Sequence, residues 1–410
     1  MSDMNIRFLN ESEARLCAYL DEHQDELFET LSALIKVDTR NLRTHGNENA
    51  GQDLLEKLCA SLALDVDRFT PDSVAGVISL PDYMPGRGAD TRENLVASYF
   101  VPDAEKTVML AAHMDTESFG DLSLWEDDPL SGTIRDGKIY GRGAGDDKSG
   151  LAVAYYLIKA FKATGISPKK NILIGSYVDE EGGGGNGALA LAIKHPVDCI
   201  LNLDASGFEG EALGGGCFTI NLRTTKNDKA IASIFDVFTG LNLIKEKLER
   251  LHGTGKNSIR LSSVTAGTNG EKEGTLAFAI YTDMSKEETK AVLGRICEEL
   301  SSDFDKLFLT TEGFILRTRF FLYGESDHES KEFKTLARLI EEETKVVPNT
   351  AGTCLSDLSL LLRYGTKNSI NYGIPRGSKE GGGAHQPNEH IYCDTLLSFA
   401  KKVALLLMRA

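Results

Sequence analysis

The sequence predicts an α/β protein with two domains: a main domain built on a mixed, mostly parallel sheet flanked by helices, and an inserted α+β domain. Short, fully apolar runs near both ends of the chain are typical of buried parallel strands. The middle of the chain instead follows the order strand, helix, strand, strand, helix, strand, which is that of a ferredoxin-like unit. A length of 410 residues also exceeds what one compact core usually holds.

The N-terminal part of the chain predicts two helices and one strand. Apolar residues recur at helical spacing over residues 11–35, and a second helix is predicted over residues 50–62. Residues 70–92 are rich in proline, glycine and aspartate, which indicates a loop. A strand over residues 94–100 follows that loop.

Three further apolar runs predict buried strands. They cover residues 107–112, 170–178 and 199–203, and a helix is predicted over residues 149–163. Each run stops at a histidine or at carboxylates. Because open α/β sheets place their ligands at the carboxyl ends of the strands, the sequence predicts a polar site along one edge of the sheet.

The inserted domain is predicted over residues 214–320, which leaves 1–213 and 321–410 for the main domain. The predicted elements of the insertion are a strand over 218–224, a helix over 228–251, strands over 258–265 and 274–282, a helix over 286–304 and a strand over 314–320. The main domain is then completed by a helix over 329–344, a strand over 368–372 and a helix over 395–408.

The amino-acid composition indicates which binding partners and which cellular location to expect for the protein. A net charge of −16 argues against nucleic acid and against an anionic membrane surface. The first residues lack the apolar core of a signal peptide, and the apolar run at the other end is too short to span a bilayer. Seven scattered cysteines without CxxC spacing are typical of a reducing compartment, so the expected location is cytoplasmic.

Five side chains with affinity for metals follow the predicted strands or lie in glycine-rich turns. They are His113, Asp146, Glu181, Asp204 and His385. Taken singly, each has a structural alternative, such as a helix N-cap for an aspartate or a hydrogen-bonded histidine at a strand end. Together they form one imidazole and one carboxylate per ion plus a shared carboxylate, which is the ligand set of two divalent cations. Such a pair activates water and polarises a carbonyl, so the pattern predicts a hydrolase.

Two further carboxylates accompany these ligands. Neighbouring side chains on an extended chain point to opposite sides, so one of Glu180 and Glu181 can bind a metal while the other faces the substrate. Asp115 lies two residues after His113 and points the same way. Its carboxylate is therefore expected to hold the imidazole in the correct tautomer.

The segments that carry these residues resemble the signature blocks of the di-zinc aminoacylase and carboxypeptidase family. The blocks are HMDT, GRGAGDDKSG, DEEGG, NLDASG and GAHQPNEH. The family includes acetylornithine deacetylase, succinyl-diaminopimelate desuccinylase and glutamate carboxypeptidase. The similarity spans most of residues 95–210 and 350–395, and the inserted unit agrees with the lid domain of the family. The resemblance implies a zinc-peptidase-like main domain and amide hydrolysis.

The resemblance also implies a role for each ligand. His113 and Asp204 would bind one zinc ion, Glu181 and His385 would bind the other, and Asp146 would bridge both.

Roles also follow for the residues around the ligands. Glu180 would be the general base, and Asp115 would orient His113. The peptide bond between Asp146 and Asp147 would be cis.

The inserted domain departs from the family pattern in one respect. Members commonly carry a histidine just after the first lid strand, whereas residues 221–230 contain none. His252 is a candidate replacement.

The sequence thus predicts a metal-dependent hydrolase that cleaves an amide bond in a small peptide or an N-acyl amino acid. Two zinc ions would activate the water, with cobalt or manganese as alternatives. A dipeptidase or carboxypeptidase in place of a deacylase stays open, and residues of the lid together with Ser356, Asp357 and Arg376 would decide between them. A non-catalytic metal-binding relative and a homodimer through the lid are further options.

Overall fold

The structure is a computed structural model, and it describes residues 9–226, 231–267, 273–376 and 381–410. Its helices are α1 (Glu11–Glu22), α2 (Gln24–Ile35), α3 (Glu48–Ser61), α4 (Lys148–Thr164), α5 (Asn186–Lys194), α6 (Ile231–Leu251), α7 (Lys286–Lys306), α8 (Lys331–Thr344), α9 (Leu358–Leu360) and α10 (Cys393–Arg409). Its strands are β1 (Asp65–Phe69), β2 (Asn94–Tyr99), β3 (Thr107–His113), β4 (Ile134–Arg135), β5 (Lys138–Tyr140), β6 (Asn171–Tyr177), β7 (Cys199–Asn202), β8 (Phe208–Glu209), β9 (Glu211–Ala212), β10 (Gly215–Thr224), β11 (Ser258–Ala266), β12 (Glu273–Tyr281), β13 (Leu309–Thr310), β14 (Phe314–Leu316), β15 (Gly324–Glu325), β16 (Ser369–Tyr372) and β17 (His390–Tyr392).

The chain forms two compact units. The first comprises the described residues up to Glu211 together with Glu325–Gly352 and Ser356–Ala410. The second comprises the described residues of Ala212–Gly324 and the short segment Thr353–Leu355.

The first unit is built on a seven-stranded sheet in the order β1-β2-β6-β3-β7-β16-β8. The four inner strands β6, β3, β7 and β16 run parallel, and antiparallel strands complete the sheet on both sides. This sheet confirms the predicted fold class. The parallel strands are apolar and buried because helices cover both faces, as such sheets require.

Two apolar cores lie on the two faces of this sheet. On one face α1, α2, α4 and α10 pack together, and α4 is buried over most of its length. Gly150 brings α4 against the sheet, since a Cβ there would lie 2.9 Å from the Cβ of Ala112. On the other face α5 packs through Leu189 and Leu191. The carboxyl ends of the inner strands are thereby held in a fixed frame.

The second unit contains an antiparallel sheet in the order β11-β12-β10-β13, and β14 also pairs with β10. Phe218, Phe278, Ile244 and Leu300 meet in a core between this sheet and the helices α6 and α7. Strand order and helix placement are those of the ferredoxin-like plan.

The structure differs from the predicted elements at several points. The helix predicted over residues 11–35 is two helices, because the backbone at His23 leaves the helical conformation (φ −115°, ψ 21°). The last strand of the inserted unit is shorter than predicted and is preceded by β13. Short elements such as β1 and α5 were not predicted, and the start of the helix predicted over 228–251 falls partly outside the described residues. Within those residues, no helix combines the length and apolarity needed to cross a membrane.

Candidate metal centre

Three adjacent parallel strands deliver polar side chains to the same edge of the large sheet. His113 is the last residue of β3, Glu181 follows β6, and Asp204 follows β7. Since β3 lies between β6 and β7, these side chains are neighbours in space although up to 91 positions separate them in the chain.

His113 is fully buried and lies between two carboxylates. Its Nε2 lies 2.9 Å from Oδ1 of Asp146 and 3.9 Å from Oδ1 of Asp204. Its Nδ1 lies 2.8 Å from the backbone carbonyl oxygen of Asp115. A carbonyl oxygen only accepts hydrogen bonds, so Nδ1 carries the proton and the lone pair of Nε2 is available to a cation.

The side chain of Asp115 has a different role from the one the sequence indicates. Its Oδ1 is 3.8 Å from Nδ1 of His113, and the backbone carbonyl makes the close contact instead. The carboxylate accepts the backbone N–H groups of Glu180 and Glu181, at 3.2 and 2.9 Å, and the side-chain amide of Asn41 at 2.8 Å. Asp115 therefore holds the acidic turn after β6 in place.

A second group forms around His385. Its Nε2 lies 3.1 Å from the carboxylate of Glu181 and 3.2 Å from Oδ2 of Asp146. The side chain of His385 is 51% exposed, whereas that of Asp146 is buried. This half of the site is therefore open to solvent.

The two groups share Asp146. One group consists of His113, Asp146 and Asp204, the other of Asp146, Glu181 and His385, and within each group the ligand atoms lie within 4.8 Å of one another. The structure thus brings together all five predicted metal ligands, with the oxygens of one carboxylate divided between two histidines.

The chemistry of the site favours cations. Burial raises the pKa of Glu181. At Asp147, burial and then the carboxylate of Asp204 raise the pKa, and neither carboxylate oxygen has a hydrogen bond in the described part of the chain. A positive ion that binds among crowded, buried carboxylates stabilises their negative charge. These residues therefore fit divalent metals.

Glu180 lies beside this cluster. It is half-buried, and among the described residues its carboxylate makes no hydrogen bond. Burial and then the negative charge of Asp204 raise the pKa of Glu180. Its carboxylate is therefore free to exchange a proton with a bound molecule.

The backbone around Asp146 is held by residues that sequence reasoning missed. Glu389, which is 1% exposed, accepts the backbone N–H of Gly145 at 3.0 Å and that of Asp146 at 3.3 Å. Its other oxygen pairs with the guanidinium of Arg142 at 2.6 Å, and Arg142 also donates to the carbonyl of Gln386. This pair fastens the segment of Asp146 to the segment of His385. The signal that the sequence offered for Glu389 was the presence of a carboxylate inside the GAHQPNEH block.

The predicted cis bond between Asp146 and Asp147 is confirmed.

Replacing Glu389 by glutamine is expected to destabilise the protein and to weaken metal binding. Removing one partner of a buried ion pair costs about 3–5 kcal/mol, because the charge of Arg142 is left uncompensated. Loss of a group that orients a metal ligand typically lowers affinity by about 10–100-fold. Thermal unfolding and metal titration measure the two effects. The matched control is Glu329→Gln, since Glu329 forms an ion pair but its side chain is 85% exposed. Equal effects of the two substitutions would contradict the role of Glu389.

The acidic turn after β6 is braced by a buried ionic network. Asp179 adopts a positive φ of 65° and accepts from Arg87 and Arg92, each at 2.8 Å. Arg87 also donates to the carbonyl oxygen of Glu181 at 2.9 Å. The backbone of the proposed ligand Glu181 is thus fixed by Arg87 at its carbonyl oxygen and by Asp115 at its N–H.

The remaining histidines lie outside both groups. They are His23, His45, His195, His252, His328 and His390. His390 contacts the carbonyl oxygen of Asn388 through Nδ1, at 2.9 Å. His252, the candidate lid histidine, accepts the backbone N–H of Ile259, which is a structural contact within the second unit. The stretch 221–230 lies partly outside the described residues.

The sequence is similar to a known protein family and to several curated proteins. The sequence profile described as "Peptidase family M20/M25/M40" matches residues 109–409. The succinyl-diaminopimelate desuccinylase of Wigglesworthia glossinidia brevipalpis is 33% identical over 106 residues, which are 25% of this chain and 28% of that protein. The chain spans 19% to 28% of the length of the first curated relatives that it matches.

Two solved structures show the same fold. Human carnosine dipeptidase 1 is 15% identical with a TM-score of 0.73, and the match covers 97% of this chain and 98% of that one. The YXEP protein of Bacillus subtilis, described as a dinuclear metal-binding peptidase from the M20 family, is 11% identical with a TM-score of 0.61 over 95% and 98% of the two chains.

Proposed function

The chain belongs to the peptidase family M20/M25/M40, and we propose that it is a metal-dependent hydrolase that cleaves an amide bond in a small peptide or an N-acyl amino acid. One observation carries the proposal. Asp146 lies between two groups, each of which adds an imidazole and a carboxylate of its own. This arrangement supports a pair of divalent cations in place of a single structural ion.

We propose two zinc ions as the cofactor. His113 and Asp204 would hold one ion, Glu181 and His385 the other, and Asp146 would lie between them. Imidazole and carboxylate suit zinc, and cobalt and manganese are alternatives because such mixed sets discriminate poorly among divalent metals. When bound, the ions polarise the amide carbonyl and make a water molecule nucleophilic at neutral pH.

We propose Glu180 as the proton acceptor of the reaction. Its carboxylate makes no hydrogen bond within the described chain and neighbours the proposed ligand Glu181. Glu180 would take the proton of the attacking water and return it to the leaving amine. Asp115 would act as a positioning residue, because it binds the backbone N–H groups of both glutamates.

A deacylase and a dipeptidase or carboxypeptidase are the two substrate classes to separate. The local sequence match to a desuccinylase favours the first class. The second is the alternative, since human carnosine dipeptidase 1 has the same fold over 97% of this chain. A non-catalytic metal-binding relative is less well supported, because a structural metal site would not need the unpaired base Glu180.

A substrate panel on metal-reconstituted protein tests the proposal. The protein is loaded with zinc, cobalt or manganese and offered N-acetyl, N-formyl and N-succinyl amino acids together with dipeptides. We expect release of a primary amine from one of the two classes, lost on chelation and restored by the metal. A protein that binds two metal ions and hydrolyses neither class would be a non-catalytic relative, and the proposed activity would be wrong.

We further propose that the second unit serves as a lid and dimerisation domain. Phe235 and Phe238 on α6 are 64% and 55% exposed, and Leu261 and Val264 on the edge strand β11 are 42% and 46% exposed. An apolar surface beside an open strand edge favours pairing with a second copy of the chain.

Lysine residues introduced into this apolar surface are expected to convert the proposed dimer into monomers. The double substitution Phe235→Lys and Val264→Lys places two like charges in the proposed interface, and light scattering after size exclusion should report a monomer. Val347→Lys is the control, because Val347 is 72% exposed but lies in the first unit. A wild-type protein that is monomeric at all concentrations would contradict the proposal.

A cytoplasmic location is also proposed. Its support is the scattered spacing of the seven cysteines, none of which forms a disulfide in the structure. Labelling of the native protein in cell fractions would test it.

A further inference from the structure

Arg376 places a positive charge among the proposed metal ligands. Its NH1 lies 3.0 Å from Oδ1 of Asp146, and its NH2 lies 2.7 Å from Oδ1 of Asp204. These are the same two oxygen atoms that lie nearest to Nε2 of His113. The guanidinium therefore contacts both carboxylates of the position formed by His113 and Asp204. Of the other position it contacts only the shared Asp146, and it makes no such contact with Glu181 or His385 in the described chain.

The backbone holds Arg376 in this position independently of the carboxylates. Its Nε donates to the carbonyl oxygen of Gly145 at 3.1 Å, and its own backbone N–H donates to Oγ of Ser206 at 3.2 Å. Gly373 allows the segment before Arg376 to lie close to the backbone of Ala205, since a Cβ at Gly373 would lie 2.2 Å from the carbonyl oxygen of Ala205. The side chain is only 13% exposed, so water screens its charge poorly.

Three buried carboxylates crowd this position. Asp147 is fully buried, and in the described residues neither of its oxygens accepts a hydrogen bond. Its nearest cationic neighbour is NH2 of Arg376, at 3.6 Å from Oδ1. One guanidinium thus faces Asp146, Asp147 and Asp204 together.

We propose that Arg376 is an internal counter-cation, which stabilises the metal-free site and weakens the binding of a divalent cation to the position formed by His113 and Asp204. The proposal rests on the proposed function, because it assumes that this position binds a metal. Arg376 offsets the repulsion among three carboxylates when no metal is bound. Once a divalent ion supplies positive charge, the guanidinium repels it.

The sign of each effect follows from linkage. A group that stabilises the metal-free state more than the metal-bound state lowers metal affinity, and its removal raises that affinity by the same differential free energy. A residue with a purely structural role would stabilise both states alike. Its removal would lower the unfolding temperature with and without metal and would leave the affinity unchanged or lower.

Neutralising Arg376 tests the proposal. In Arg376→Gln, we expect the metal-free protein to unfold at a lower temperature than wild type, and the difference to shrink after loading with zinc. In calorimetric titration with zinc or cobalt, one of two binding steps should tighten by about tenfold or more, which corresponds to about 1.4 kcal/mol. The other step should change by less than about threefold, or 0.7 kcal/mol by the same relation.

Two further variants separate charge from shape. Arg376→Lys keeps the charge but loses the planar fork, and it should bind metal much as wild type does. Arg363→Met is the matched control, since Arg363 is 49% exposed and pairs with the single carboxylate of Asp82.

The outcomes distinguish this inference from the proposed function. If the wild-type protein takes up no divalent cation, both the proposed function and the role of Arg376 are wrong. If wild type binds two ions and Arg376→Gln binds neither more tightly, only the role of Arg376 is wrong. The same holds if Arg376→Lys tightens binding as much as Arg376→Gln. Should Arg376→Gln fold only in the presence of metal, that behaviour is the predicted destabilisation in its strongest form.

Discussion

Replacing Glu180 by glutamine is expected to abolish turnover and to leave metal binding nearly unchanged. Glutamine keeps the length and shape of the side chain but cannot accept a proton at neutral pH. General base catalysis contributes about 10²–10⁴-fold to a rate, and the same residue would also return the proton to the amine, so a loss near the upper limit is expected. Steady-state kinetics and metal analysis of the same preparation measure both quantities.

The metal content separates this role from that of a ligand. Glu180 is absent from both groups of candidate ligand atoms, so Glu180→Gln should still bind two ions. Glu117→Gln is the matched control: Glu117 also lies near the site, where its backbone N–H contacts Glu181, but its carboxylate pairs with Arg43. Activity of Glu180→Gln within a fewfold of wild type would remove Glu180 from the mechanism.

The convergence of the ligands was predictable because it depends on local signals. Apolar runs that end at His113 and before Asp204 are visible in the sequence, and parallel strands bring their carboxyl ends to one edge of a sheet. The alternation of side chains on an extended chain predicted that one of Glu180 and Glu181 binds a metal while the other faces the substrate, and the family resemblance implied which is which. These arguments need no knowledge of distant contacts.

The contacts of the supporting residues were not predictable because their partners are distant in the chain. Glu389 binds the backbone N–H of Gly145 across 244 positions, and Arg376 meets Asp204 across 172. No periodicity marks such pairs. The backbone carbonyl of Asp115 contacts His113, a role that any residue type could fill, so the sequence indicated the side chain instead.

Similar reasons explain the differences in the fold. The apolar spacing over residues 11–35 continues through His23. At the break between α1 and α2, its ring stacks on Tyr19 at 4.0 Å and its Nδ1 lies 3.1 Å from the carbonyl oxygen of Tyr19. The helix α5 begins directly after a run of four glycines, a composition that favours a loop. Pattern alone therefore located the long elements and missed those set by tertiary packing.

Replacing Asp146 by alanine is expected to remove both metal ions and all measurable turnover. Asp146 is the one residue common to the two ligand groups, with Oδ1 near His113 and Oδ2 near His385. Metal polarisation of the carbonyl and activation of water supply several kcal/mol, so the loss in rate should reach about 10³-fold or more. Metal content after dialysis and residual amine release are the measurements.

Asp204→Ala is the matched control for Asp146→Ala. Asp204 belongs to one group only, so its loss should leave the ion at Glu181 and His385 in place and halve the metal content. A difference of one bound ion between the two variants thus reports that the carboxylate of Asp146 is shared. If Asp146→Ala kept one tightly bound ion, as Asp204→Ala is expected to do, the two positions would be independent. The water could then no longer be activated by a pair of ions joined through Asp146.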